Sequence, residues 1–228
     1  MSLAQTQVDL DEKAEETKGF LSKIISEFSF IHGNFLILIL TWLIMDFATE
    51  IPSTYYALYV KALGGSAATI GLIGFASMIS LALVQFLGGY LADKHGRKKL
   101  VSTMTFGMAL SYVFYALAPG WHTILLGAII QNLCLIYRPA LNALLMDSLP
   151  PEKRGMGFSI TNLITSVSTT PAPLIAGWLY VRFGLVSSMR LGYILALLSA
   201  ITAAILRLRL KETIKNPEPI KLSEVFRS

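Results

Sequence analysis

Three ionisable side chains stand inside long apolar runs of this sequence: Asp46 and Glu50 in one run, Arg138 in another. A charge in hydrocarbon is costly, so each is a candidate for function. Asp46 and Glu50 are spaced i,i+4 and share one helix face. If their helix enters the membrane near Asn34, Asp46 lies about 18 Å along it at ~1.5 Å per residue. Counted back from Asp147 with the same rise, Arg138 lies about 13 Å from the inner boundary. Both depths fall near the middle of a core roughly 30 Å thick. Two carboxylates in a poorly solvated cavity suit a carrier of a coupling proton or a substrate-binding pair. Arg138 could instead hold an anionic solute, or release Asp46 when a solute arrives. The plainer use of the same residues is a permanent Asp46–Arg138 pair that orients two helices. No His, Cys and carboxylate cluster has metal-ligand spacing, and no Ser-His-Asp or phosphate-loop pattern occurs. No catalytic residue, metal or cofactor is therefore expected. Cys134 is the single cysteine and excludes an internal disulfide.

The elements that position these charges follow from composition. The chain has 228 residues, 54% of them hydrophobic and only 14% charged, with a mean hydropathy of +0.61. That is too apolar for a soluble globular domain. Six stretches of about bilayer length are predicted as helices, at 34–58, 68–92, 100–118, 121–147, 157–181 and 188–208. Their length and uniform apolarity rule out barrel strands, leaving an all-α membrane protein of six transmembrane helices.

The net charge of +5 is explained by its distribution and not by nucleic-acid binding. All Lys and Arg except Lys61, Arg138, Arg182 and Arg190 fall before the first span, in the 2–3 and 4–5 loops, or from Arg207 onward. Under the positive-inside rule both termini face the cytoplasm. Residues 1–33 form an N-terminal tail, and Asp9, Asp11, Glu12, Glu15 and Glu16 rule out a signal peptide. Phe20, Leu21, Ile24, Ile25 and Phe28 recur at helical spacing, as in an amphipathic helix lying on the inner membrane face. The acidic part reads equally as a solvated tail. The bundle occupies 34–210. Residues 211–228 read as the beginning of a cytoplasmic linker, because Pro217 and Pro219 stop any continuation of the sixth span.

The octets starting at Gly89 and Gly177 both read G-[YW]-L-x-x-[KR]-x-G, and each closes the second helix of a three-helix set. Weak self-similarity at this spacing is what a 3+3 inverted repeat leaves in sequence. In the second copy the acid becomes Val181, and the Arg-Lys-Lys run becomes Leu185-Val186-Ser187.

Residues Gly89 to Lys98 fit the pattern G-x-L-A-D-[RK]-x-G-[RK]-[RK], with Asp93, Gly96, Arg97 and Lys98 in register. This loop resembles the signature loop of major facilitator superfamily transporters, and the resemblance extends over nearly the whole chain. Gly65-Ser66 and Ile70-Gly71 resemble the family's entry into the second helix. Pro139, Asp147, Pro150 and Arg154-Gly155 match its pattern at the end of the fourth. Ala172-Pro173-Leu174-Ile175-Ala176-Gly177, preceded by Pro171, is similar to the G-P-x-x-G-G stretch associated with antiporters, with alanine in place of two glycines. The arginine that the family carries near the start of the fourth helix is replaced by Leu125-Leu126-Gly127.

The resemblance implies a bundle in which the first and fourth helices face a central cavity, so that Asp46 and Arg138 are expected as neighbours, with Glu50 further out. It implies a gating set of Gly89, Asp93, Gly96, Arg97, Lys98 and Asp147, in which Arg97 and Asp147 link the signature loop to the fourth helix. In the family, the aspartate at Asp93 meets the positive end of a helix in a second bundle. The implied function is secondary transport of a small organic solute by alternating access, with proton-coupled export favoured by the fifth-helix motif. The expected partners are the lipid bilayer of the cell membrane, the solute, protons, and a second six-helix bundle from another chain or another copy. The alternative is a half that cannot transport, acting as a membrane interaction subunit or standing as a truncated product.

Overall fold

The computed structural model describes residues 26–214, in two units that divide after His32. In the first, Ser26 and Glu27 are helical and lead into a turn, where the Ile31 N–H donates to Phe28 O at 3.0 Å. Most of the predicted amphipathic helix, Phe20 to Ile25, lies outside the described residues, as does the predicted linker from Lys215 onward.

The second unit is a chain of helices: α1 Gly33–Ser53, α2 Tyr56–Ala62, α3 Ala67–His95, α4 Arg97–Ala116, α5 Trp121–Cys134, α6 Arg138–Asp147, α7 Arg154–Thr169, α8 Ala172–Phe183 and α9 Leu185–Arg207. Short 3₁₀ turns at Leu135–Tyr137 and Pro151–Lys153 precede α6 and α7. No strand occurs among the described residues. Among the described residues four stretches are long and apolar enough to cross a membrane: Gly33–Ser53, Ala67–Gln85, Trp121–Asp147 and Leu185–Arg207. The other two predicted spans are occupied by α4, whose first turn is Arg97-Lys98-Lys99, and by the α7–α8 pair.

Local chemistry explains where the predicted spans break. The first stops at Ser53, where the Ser53 and Thr54 hydroxyls donate to Glu50 O at 2.8 and 3.2 Å and close the helix end. The fourth tightens into a 3₁₀ turn at Leu135–Tyr137, just ahead of Pro139, which has no N–H to give. The fifth is interrupted at Thr170–Pro171, where Pro171 and Pro173 have no N–H to give. Ser66 begins α3 with a capping box, its hydroxyl accepting from the Thr69 N–H while Thr69 Oγ1 accepts from its own.

The core runs along α9, which packs against α4 and α1. Ala196, Ala200, Ala203 and Ala204 are fully buried there, and small side chains let helices approach closely. On the other flank α3 packs on α5 and α6, while α7 and α8 lie on α1. Gly88 of α3 meets the 3₁₀ turn so tightly that a Cβ would lie 2.2 Å from Ile136 O. The two copies of the repeated octet end alike: Gly96 and Gly184 have φ of +89° and +75°, and each joins one helix directly to the next. Only glycine adopts such a backbone without strain.

Candidate functional site

Asp46 lies half-buried on α1, with its carboxylate turned to α7, where the Thr165 hydroxyl donates to Asp46 Oδ2 at 2.9 Å. No ion pair joins Asp46 to Arg138 among the described residues, so the plainer reading of a permanent pair is not what this structure shows. Arg138 instead begins α6 with an exposed side chain. It lines a cavity of about 510 Å³ with Trp42, Gln85, Pro139, Leu141 and Asn142. Glu50 is half-buried one turn beyond Asp46.

One buried cation lies where the sequence reading does not expect it. Arg207 was counted with the inner-face cations, but its side chain is 0% exposed. Its Nε donates to Thr41 Oγ1 at 3.2 Å and its Nη1 to Thr105 Oγ1 at 2.7 Å, and its guanidinium lies 5.5 Å from the Tyr137 ring centre. The two threonine hydroxyls donate onward to Leu38 O and Val101 O, so they have lone pairs free to accept. A guanidinium does not shed its proton, so burial is tolerable only with such partners. The buried stripe Ala196, Ala200, Ala203 continues to Arg207 at helical spacing, a signal that the cation-rich end of the run concealed.

A second cavity, of about 430 Å³, opens between α1, α3, α4, α5 and α9. Thr49 and Ser53 of α1 reach it one and two turns past Asp46. Tyr56, Tyr112, Tyr115 and Tyr193 give it an aromatic wall, and Gln131 and Asn132 supply amides. The Tyr115 and Tyr193 rings stack at 4.7 Å and 13°. Tyr115 Oη donates to Gln131 Oε1 at 2.9 Å, and Gln131 Nε2 donates to Tyr112 Oη at 3.3 Å. Such a wall offers hydrogen bonds and flat apolar faces together, which suits an amphipathic organic molecule. All of these side chains are uncharged and carry no mark in sequence.

The signature loop forms a charge cluster at the α3–α4 junction. Arg97 Nη1 donates to Asp147 Oδ2 at the end of α6, and Nη2 stands 3.7 Å from Asp93 Oδ1. Arg97 is 19% exposed, against 43% for Asp93 and 41% for Asp147, so solvent reaches both acids. The Lys98 backbone N–H donates to Glu212 Oε2 at 2.9 Å, and a Cβ on Gly96 would lie 2.7 Å from that oxygen. Gly89 has nothing within 4 Å of where a Cβ would stand. The fifth-span motif serves packing on α1: Ala172, Ala176 and Leu179 are buried against Ile51, and Gly177 lies near Tyr55 Oη. Pro171 lines an apolar groove with Leu43, Phe47 and Val167, and Pro173 lies in the first turn of α8. No group of three His, Cys, Asp or Glu side chains that could hold a metal ion occurs among the described residues.

The family profile described as Major Facilitator Superfamily matches residues 34–227. The uncharacterized MFS-type transporter YqjV of Bacillus subtilis (strain 168) is 29% identical over 130 residues, 56% of this chain and 32% of that protein. The multi-drug resistance efflux pump PmrA of Streptococcus pneumoniae is 27% identical over 115 residues, 50% of this chain and 29% of that protein. The matched stretches thus span about a third of these relatives. A crystal structure of peptide transporter POT in complex with sulfate shares the fold at a TM-score of 0.66 and 18% identity, over 85% of this chain and 42% of that one.

Proposed function

This chain belongs to the Major Facilitator Superfamily, a family of transporters and not of enzymes, and we propose that it is one half of a secondary transporter that exports a small organic solute in exchange for protons. Its helices would count as six spans in two inverted sets of three, with α1–α2, α3, α4, α5–α6, α7–α8 and α9 as the spans. The matching positive-φ glycines at Gly96 and Gly184 support that repeat. Alternating access requires a second bundle for this one to rock against, and the partly exposed cluster of Asp93, Arg97 and Asp147 is the contact that would favour one state. Both termini would lie in the cytoplasm and the bundle in the cell membrane.

The observation that carries this reading is the Asp46–Thr165 contact, one helical turn from Thr49, which lines the tyrosine-walled cavity. A half-buried carboxylate held by a hydroxyl is equipped to take up and release a proton. The neighbouring aromatic and amide wall is equipped to hold a solute. The name of PmrA, an efflux pump, agrees with the export direction. The test is Asp46→Asn in the full transporter, followed by ethidium efflux from energised vesicles across pH 6–8. Efflux that no longer depends on the proton gradient is expected, and an unchanged dependence overturns the coupling role.

A further inference from the structure

Beyond Arg97, the α3–α4 junction is held by residues that follow α9. Asn34, at the start of α1, and the Lys211 backbone exchange two hydrogen bonds: Asn34 Nδ2 donates to Lys211 O at 2.8 Å, and the Lys211 N–H donates to Asn34 Oδ1 at 2.7 Å. The next residue, Glu212, turns its carboxylate onto the first turn of α4. Oε2 accepts from the Lys98 N–H at 2.9 Å, while Oε1 accepts from the Thr213 and Ile214 N–H groups at 3.0 and 3.3 Å. The first N–H groups of a helix have no partner within it, and a negative charge is favoured there by the helix dipole. Gly96 faces the same carboxylate, so its lack of a side chain serves the contact as well as its φ of +89°. Lys98 and Arg97 are consecutive. The group that fixes the backbone of one fixes the origin of the other's side chain.

We propose that Glu212 is a positioning residue of the signature loop: seated over Gly96 and on the Lys98 N–H, it holds Arg97 where it meets Asp93 and Asp147, and Asn34 anchors it through Lys211. Movement of the segment after α9 is thereby passed to the Arg97 cluster. The coupling to transport rests on the reading of that cluster as a gate, while the contact itself does not.

A double-mutant cycle on the full natural chain, purified in detergent and followed by its apparent Tm, tests the proposal. Asp147→Ala removes the acceptor of Arg97 and should lower Tm. In an E212A background Arg97 is already loosened, so the same substitution should cost less than half as many degrees. Equal losses in both backgrounds overturn the proposal. T165V, far from the loop, serves as the control and should cost the same in both. If E212A does not fold, E212D retains the charge but withdraws the carboxylate by one methylene, and the same shortfall is expected; additivity there overturns the proposal equally. The cycle needs no solute, so it stands or falls apart from the gating reading, which the transport of an Asp93→Ala variant decides.

Discussion

The Thr165 hydroxyl crosses from α7 to α1 to donate to the carboxylate of Asp46, and this one contact determines which way the acid faces. Hydroxyls in helices commonly bond the carbonyl one turn back, as Thr161 and Thr169 do in the same helix at 2.9 Å each. Thr165 departs from that habit because α7 packs on α1 with the acid opposite.

Thr165→Val keeps the shape of the side chain and removes only the donor. A hydrogen bond to a charged group contributes about 1.5–3 kcal/mol, so a Tm lower by several degrees is expected, with Thr165→Ser restoring it. Differential scanning fluorimetry of the three proteins checks this. A Tm unchanged in the valine variant would show that the hydroxyl does not hold Asp46.

At Asp93, which stands 3.7 Å from Arg97 and takes no hydrogen bond from it, the expected effect is on function and not on folding. Asp93 is exposed, and its ion pair with Arg97 is of the surface kind, which contributes little to stability. Asp93→Ala should therefore insert and fold normally, while ethidium efflux by the full transporter falls severely. Efflux at the normal rate would remove Asp93 from the gate.

Arg207 makes a sharper case, because size and charge can be separated. Its threonine acceptors keep their own donor bonds to Leu38 O and Val101 O, so removing the guanidinium strands no hydroxyl proton. Arg207→Met fills much of the same volume with apolar atoms and should cost less than about 1.5 kcal/mol, the range of volume-conserving core changes. Arg207→Ala opens a cavity between α1, α4 and α9 and should cost about 2–5 kcal/mol. Denaturant or thermal unfolding distinguishes the two. Equal and large losses would mean that the charge itself is needed to hold the bundle.

How much of this was legible in sequence depended on what each residue's neighbours in the chain had in common with it. Asp46 and Arg138 stand out because everything around them is apolar. Arg207 does not, since Arg209 and Lys211 follow it, and only the helical register of Ala196, Ala200 and Ala203 marks it as turned inward. Arg97 and Asp147 were paired by motif, and the structure brings them together. Thr165, Tyr112, Tyr193 and Glu212 have no local signal. Their partners are Asp46, each other's helices and the Lys98 amide, which the packing of separate elements chooses. The helix breaks were written more plainly, in Pro139 and in Thr170-Pro171, because a missing N–H acts on its own turn whatever lies across from it.

Adjacent glycines supply the last prediction. Gly88 and Gly89 are neighbours in the signature segment, but their surroundings differ completely. A Cβ on Gly88 would stand 2.2 Å from Ile136 O and 3.2 Å from Pro139 Cδ, both in or beside the 3₁₀ turn that joins α5 to α6. Backbone of that kind cannot swing aside as a flexible side chain would, so α3 must move off its neighbours. A Cβ on Gly89 meets nothing within 4 Å. Gly88→Ala should thus cost at least about 1–3 kcal/mol, the usual penalty of overpacking, and reduce the yield of folded protein. Gly89→Ala should leave folding and Tm as they are, because α3 tolerates alanine well and the bundle does not use the space. Size-exclusion profiles and Tm of the two variants decide the matter. If Gly89→Ala folds normally but transport is lost, the space over Gly89 is used by something outside residues 33–214, as a second bundle closing on this face would require. If transport is also normal, close approach at Gly89 has no part in the gate.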